Sequence, residues 1–336
     1  MKGFASRDNR SMVRSRRRLG YLLLVCTVVL QLGMKARFGN GPARPVPAIP
    51  ALVRAFDKYP VVALGEDHWS RQAGEFYLTL VRTPGFADQA NAVVLECGNS
   101  LYQPVLDRYM NGEEVAPQEL SQVWRNTTKV ASWESPIYEN LIRELREVNL
   151  KLPASHRIRV LAGDAPIDWS RVKNHSDWES ALQGEEFFAS LVEREVLAKH
   201  HKALLIMGVN HVTHGGNWFG RADVTSLLEK HKHPVYVALL WGIPGNTDPA
   251  VKAGPVPSLS DLDGTRLGSA RISGRQADDL ADAYIYLGRS EQIALPDWAA
   301  LQGDKAYWAE LQRRHQIQFG CALDINRWNH REKPCP

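Results

Sequence analysis

The chain lacks most of the motifs that tie a sequence to a reaction. Four of its 336 residues are cysteine, and no Cys-x-x-Cys pair is among them, which removes the common zinc and dithiol motifs. There is no Gly-x-Ser-x-Gly elbow, which disfavours an ordinary serine hydrolase. A Gly-x-x-x-x-Gly-Lys loop, a dinucleotide fingerprint and a His-Glu-x-x-His helix are all missing. Gly215-Gly216-Asn217-Trp218-Phe219-Gly220 is rich in glycine but follows no phosphate-binding spacing. No internal repeat occurs. The longest apolar run, Leu19 to Met34, is 16 residues long with Gln31 inside it, shorter than the ~20 residues of a full membrane span.

A basic face is also missing from the body. The whole chain carries a net charge of +4, but residues 1–18 hold seven basic residues against one acid. That surplus of six leaves the remainder at −2. Nucleic-acid binding needs clustered Lys and Arg to neutralise phosphates, so no nucleic-acid partner is expected.

What the leader does have is an export design. A positive stretch precedes the apolar run, as in a signal peptide or short anchor, and the positive flank stays cytoplasmic. Residues 1–38 are therefore expected to send the body to the periplasmic or extracytoplasmic side, with segment 19–34 as the membrane contact. Cys26 follows Val25, which is not a lipidation context. Residues 39–50 contain four prolines and read as an extended tether. Outside the leader stand Cys97, Cys321 and Cys335. Cys97 reads as a buried small hydrophobe. Cys321 and Cys335 either close a loop over the tail or remain free.

Six short apolar runs carry the body. Val61-Val62-Ala63-Leu64 leads to Gly65-Glu66-Asp67-His68. Ala92–Leu95 leads to Glu96. Arg157–Gly163 leads to Asp164. Ala203–Met207 leads to Gly208, Asn210 and His211. Val235–Leu240 leads to Trp241, and Ala283–Leu287 follows Asp282. Runs of this length, rich in Val, Ile, Leu and Tyr, are buried strands. Helical periodicity lies between them, at 75–81, 136–148 and 185–201. The alternation predicts an α/β fold: a largely parallel central sheet of about six strands flanked by helices. Residues 99–150 read as a helical cap insertion within a 51–295 domain. Residues 242–281 read as a long loop with little structure. Residues 296–336 read as a tail with one helix, 305–314.

In such sheets ligands bind beyond the carboxyl ends of the strands. Glu66, His68, Glu96, Asp164 and His211 all sit at strand exits, so they form the candidate catalytic set. Glu66 and His68 alternate with period two and point the same way in extended chain. A carboxylate beside an imidazole can activate water or share a cation. Glu96 and Asp164 are expected to set imidazole tautomers and pKa values. Arg71 and His214 are the candidate substrate-binding residues. Glu66, His68 and His211 are also a possible ligand set for a divalent metal.

These residues resemble the erythromycin esterase/ChaN-like superfamily, with its TIKI and TraB branch, over roughly residues 55–290. The resemblance rests on Leu64-Gly65-Glu66-Asp67-His68, Glu96, Pro136-x-Tyr138, Ala162-Gly163-Asp164, Gly208-Val209-Asn210-His211 and Asp282-Ala283-Tyr284-Ile285-Tyr286. It implies one of three activities: a hydrolase whose Glu and His handle a water, a haem- or iron-binding protein, or a metal-dependent hydrolase. Its partner would accordingly be a small-molecule substrate or haem. The single residue between Glu66 and His68 is similar to the ChaN pattern.

Overall fold

The computed structural model describes residues 41–241, 243, 248–288 and 292–336. The leader expected at 1–38 lies outside them. Among the described residues, no helix is long and apolar enough to cross a membrane.

The six expected strands all form. They are β2 (Val61–Glu66), β3 (Ala92–Asn99), β4 (Arg159–Asp164), β5 (Ala203–Gly208), β6 (Val235–Leu239) and β10 (Ala283–Tyr286). They run parallel in one sheet, extended at one edge by β7 (Ser258–Asp261), antiparallel to β10, and then by β1 (Val46–Pro47), antiparallel to β7. The order is β1-β7-β10-β6-β2-β5-β3-β4. A separate hairpin pairs β8 (Arg271–Ile272) with β9 (Arg275–Gln276).

Side-chain alternation sorts the strands' residues into two cores. Val62, Leu64, Val93, Leu95, Leu204 and Ile206 face the helices Ala48–Ala55, Arg71–Arg82, Gln103–Met110 and Pro136–Lys151. Val61, Ala63, Val94, Leu205, Val237 and Leu239 face the helices Gly184–Glu195 and Val224–Lys230. The sheet is thus buried on both sides, which explains why its strands read as unbroken apolar runs.

Three expectations change. The residues expected as a tether are packed from Gly41 onward: Ala43 and Ala48 are buried, β1 pairs with β7, and a helix begins at Ala48. Pro47 has no N–H to donate, and an edge strand tolerates that. Residues 242–281 are not one loose loop; they hold a short helix (Pro249–Ala253), β7 and the β8–β9 hairpin. The tail holds three helices rather than one, Trp298–Gly303, Lys305–Phe319 and Ile325–Asn329, and the second buries Leu311 with Leu323 against Val130, Ile167 and Trp169. The tail therefore folds back onto the insertion. Within that insertion the long helices lie on the sheet face, and residues 122–134 reach over the strand ends towards Asp164 and His68. Cys321 and Cys335 are bonded, and Cys97 is free and buried.

Candidate functional site

The site forms where β2, β5 and β3 end side by side. Glu66 is the last residue of β2 and lies on the face that receives the helices Arg71–Arg82 and Pro136–Lys151. Each helix sends one phenol to it. Tyr77 OH donates to Glu66 Oε2 at 2.6 Å, and Tyr138 OH donates to Oε1 at 2.9 Å. The His68 Nδ1–H donates to Oε1 at 2.8 Å. An ionised carboxylate only accepts, so this bond places the ring proton on Nδ1 and leaves Nε2 as the reactive atom. Trp133 packs edge-on against the His68 ring at 4.8 Å, and against Tyr138 at 4.9 Å.

Between β2 and β3 lies β5, which ends in Gly208. A Cβ there would meet His68 Nε2 at 2.8 Å and Glu96 Oε2 at 3.4 Å. Glycine lets side chains from non-adjacent strands converge above the sheet. The Gly208 N–H donates to Glu96 Oε2 at 2.6 Å. Glu96 Oε1 then lies 3.2 Å from His211 Nε2 and 3.8 Å from His68 Nε2. On its other side His211 Nδ1 is 2.8 Å from Glu185 Oε1. Glu185 stands in the first turn of its helix, where negative charge is favoured.

The charges follow from these contacts. Burial alone would raise the Glu96 pKa, but His211, His68 and the Gly208 amide outweigh it and hold the carboxyl well below its usual range. Burial alone would lower the His211 pKa, yet Glu96 and Glu185 raise it to about 10. His68 follows the same balance: burial opposes protonation, and Glu96 with Glu66 overcomes it, so its pKa is raised. Burial and Glu66 push both phenols well up. Burial also raises the Cys97 thiol far above neutrality, so Cys97 is no thiolate nucleophile.

The remaining candidates separate. Asp164 touches neither imidazole. It accepts from Thr128 N at 2.5 Å and Thr128 Oγ1 at 2.8 Å, anchoring the insertion over the strand ends. Burial lifts its pKa to about 6 against those bonds. It shares a cavity of about 130 Å³ with Glu96, Glu185, Lys129 and His211. Tautomer control therefore belongs to Glu66, Glu96 and Glu185. Arg71 is an exposed helix start whose backbone N–H donates to Gln292 O. The guanidinium near His68 is that of Arg331. It pairs with Asp67, donates to His68 O at 2.8 Å and lies 5.2 Å from the Trp69 ring. His214 is held by Glu229 at 2.6 Å and Asp282 at 3.0 Å, and both carboxylates raise its pKa to about 9 despite burial. That is a pairing of its own.

The metal reading does not fit the donors. Both His211 nitrogens and His68 Nδ1 face carboxylates, and both phenols are spent on Glu66. Among the described residues no three His, Cys, Asp or Glu side chains are arranged to hold a metal ion.

Trp69 carries a left-handed φ of 71°, an uncommon state for a bulky residue. Its indole N–H donates to Ser132 O at 2.6 Å, and its backbone N–H reaches Tyr138 OH at 3.3 Å. These contacts fix the turn that presents His68. Tyr77, Tyr138, Glu185 and Arg331 are the partners that strand-exit reasoning missed. Tyr138 alone had a sequence signal, in Pro136-x-Tyr138.

The molecule is thus an α/β protein with a carboxylate–imidazole centre at the carboxyl end of a mainly parallel sheet. No family model and no curated protein matches its sequence. Among solved structures it is similar to a Bacillus cereus protein, at 10% identity and a TM-score of 0.50 over 76% of this chain and 97% of that one. It is also similar to the type III effector HopBA1, at 12% identity and 0.43 over 76% and 100%. A third is the haem-binding ChaN of Campylobacter jejuni, at 14% identity and 0.38 over 57% and 85%. At these identities the likeness to the Bacillus cereus protein is one of fold.

Proposed function

We propose that the protein is an exported hydrolase in which His68, oriented by Glu66, removes a proton from water. The supporting observation is the His68 ring itself: Nδ1 is fixed on a carboxylate, and that carboxylate is fixed by two buried phenols. This is the orientation that leaves Nε2 free to take a proton. Glu96 raises the basicity of His68 from the far side. His211 supplies positive charge for an oxyanion, which fixed charges stabilise best in a partly closed site. Its two nitrogens already face Glu96 and Glu185, so a donor role requires it to let go of one of them.

Export is part of the proposal. It is supported by the charged leader with its apolar run and by the Cys321–Cys335 bridge, a bond that oxidising compartments preserve. The test is a panel of nitrophenyl and naphthyl esters with the wild type, His68→Asn and His211→Gln. Turnover is expected to fall by about 10²–10⁴ in His68→Asn, the usual weight of a general base. Equal turnover in all three proteins removes the proposal. Haem added to the same preparations tests the iron-binding alternative: a Soret shift lost in His68→Asn would favour it, although Tyr77 and Tyr138 are committed to Glu66.

A further inference from the structure

The loop tied by Cys321 and Cys335 forms part of the candidate site. Leu323, Trp328 and Arg331 form one wall of a cleft of about 290 Å³ whose other wall holds Asp67, His68 and Trp69. The inner surface is apolar and aromatic. Trp69 and Trp328 are in ring contact at 4.3 Å, and Phe319 packs on His315 at 4.6 Å while staying 38% exposed. Val130 and Leu323 complete it.

The charged groups around this cleft satisfy one another. Arg331 is paired with Asp67. Arg327 lies 3.8 Å from Asp324 and 3.6 Å from Glu332. His315 Nδ1 donates to Cys321 O at 2.8 Å, and burial lowers its pKa, so its ring is neutral. Both guanidinium groups are thus already paired: an anionic ligand would have to take one from its carboxylate, and a cationic one would have to displace an arginine from its partner. Either exchange costs desolvation that an uncharged ligand avoids. The volume lies just under the usual range of roughly 300–1,000 Å³ for small-molecule sites. It suits a single ring system rather than an extended molecule.

We propose that this cleft is the acyl-group subsite of the His68 centre and that it takes an uncharged aromatic group of one or two fused rings. The word acyl rests on the hydrolase reading above; the binding claim does not. Trp69, Trp328 and Phe319 supply ring faces and edges, and His68 lines the same cleft.

The test titrates the full-length chain with three probes of one shape, 2-naphthamide, 2-naphthoate and 2-naphthylmethylammonium, by calorimetry. The neutral probe is expected to bind about tenfold tighter than either charged one, the scale of one displaced exposed-to-buried charge pair. Phe319→Ala, a half-exposed position, is expected to weaken the neutral probe about five- to tenfold by loss of ring contact. Equal binding of all three probes, or no effect of Phe319→Ala, overturns the subsite. Phe319-dependent binding of naphthamide with no turnover of methyl 2-naphthoate supports the cleft and removes the hydrolase reading. Turnover of that ester unchanged in Phe319→Ala does the reverse.

Discussion

The His68 ring rests against Gly208: its Nε2 lies 2.8 Å from the point a Cβ on residue 208 would occupy. Gly208 ends β5, His68 stands in the turn that follows the neighbouring β2, and Glu96 reaches the same spot from the strand beyond. One missing side chain at the end of the central strand thus lets three strands contribute to one site.

Gly208→Ala tests that relationship. The methyl group would press on a ring tied to Glu66 at one edge and packed by Trp133 at another. The ring is held at two edges, so strain of about 1–3 kcal/mol is expected, as for other overpacked interiors. Urea midpoints would read the loss, and the His68 ring resonances would move. An unchanged midpoint with unchanged resonances would mean that the ring swings aside freely.

Glu96→Gln separates the two charges on His68. Turnover by a neutral His68 falls as pH drops through its pKa, and that pKa lies above the ordinary histidine value because burial is outweighed by Glu96 and Glu66. Removing the Glu96 charge is expected to move the acid limb of the rate–pH profile to lower pH, because one of the two charges that raise the His68 pKa is gone. The maximum rate is expected to fall at the same time, since His211 loses its fixed partner. A limb that stays in place would remove Glu96 from the titration of His68.

His211 makes a stability prediction with a definite sign. Its folded pKa of about 10 lies above the unfolded value near 6.5. Its imidazolium therefore stabilises the fold in full below about pH 6.5, and this contribution is lost as pH rises through about 10. His211→Gln is expected to cost about 2–4 kcal/mol at pH 7, because Glu96 and Glu185 are left without a cation between them. The gap between variant and wild type should close above pH 10. Urea unfolding at pH 7, 9 and 10.5 measures it, and a gap that widens with pH contradicts the assignment.

The sheet was legible because its six parallel strands are buried on both faces, which leaves unbroken apolar runs. Strand β7 was not, since Ser258-Leu259-Ser260-Asp261 looks like loop chemistry until β1 and β10 flank it. Prolines hid the packing of residues 41–50 for the same reason: they mark breaks in sequence, while an edge strand accepts them. Glu66, His68, Glu96 and His211 stood out as charged groups at apolar exits, and the fold brings them together. Their partners did not stand out. Tyr77 and Tyr138 sit on amphipathic helices whose apolar stripe explains them equally well, and only tertiary packing aims both at Glu66. Arg331 reaches His68 across 263 residues, a contact that no local pattern encodes. Asp164 shares the strand-exit position of the others, but its carboxylate is taken by Thr128, 36 residues away in the insertion.

The tail makes the last prediction, because two different causes can be told apart in it. The Cys321–Cys335 bridge spans 14 residues, and a loop of that length constrains the unfolded chain by about 3 kcal/mol. The double change Cys321→Ser with Cys335→Ser is therefore expected to lower the unfolding free energy by about that amount. It should also free Trp328 and Arg331 from the mouth of the His68 cleft. Arg331→Ala removes only the cover: the pair with Asp67, the bond to His68 O and the contact with Trp69. An exposed pair of this kind contributes about 0–1 kcal/mol, so its midpoint should stay near the wild type. Both proteins should nevertheless show faster carbethoxylation of His68, read by mass spectrometry at a pH where the ring is neutral. If the double variant is destabilised while His68 reacts at the wild-type rate, the bridge stabilises the chain but the tail does not shield the ring.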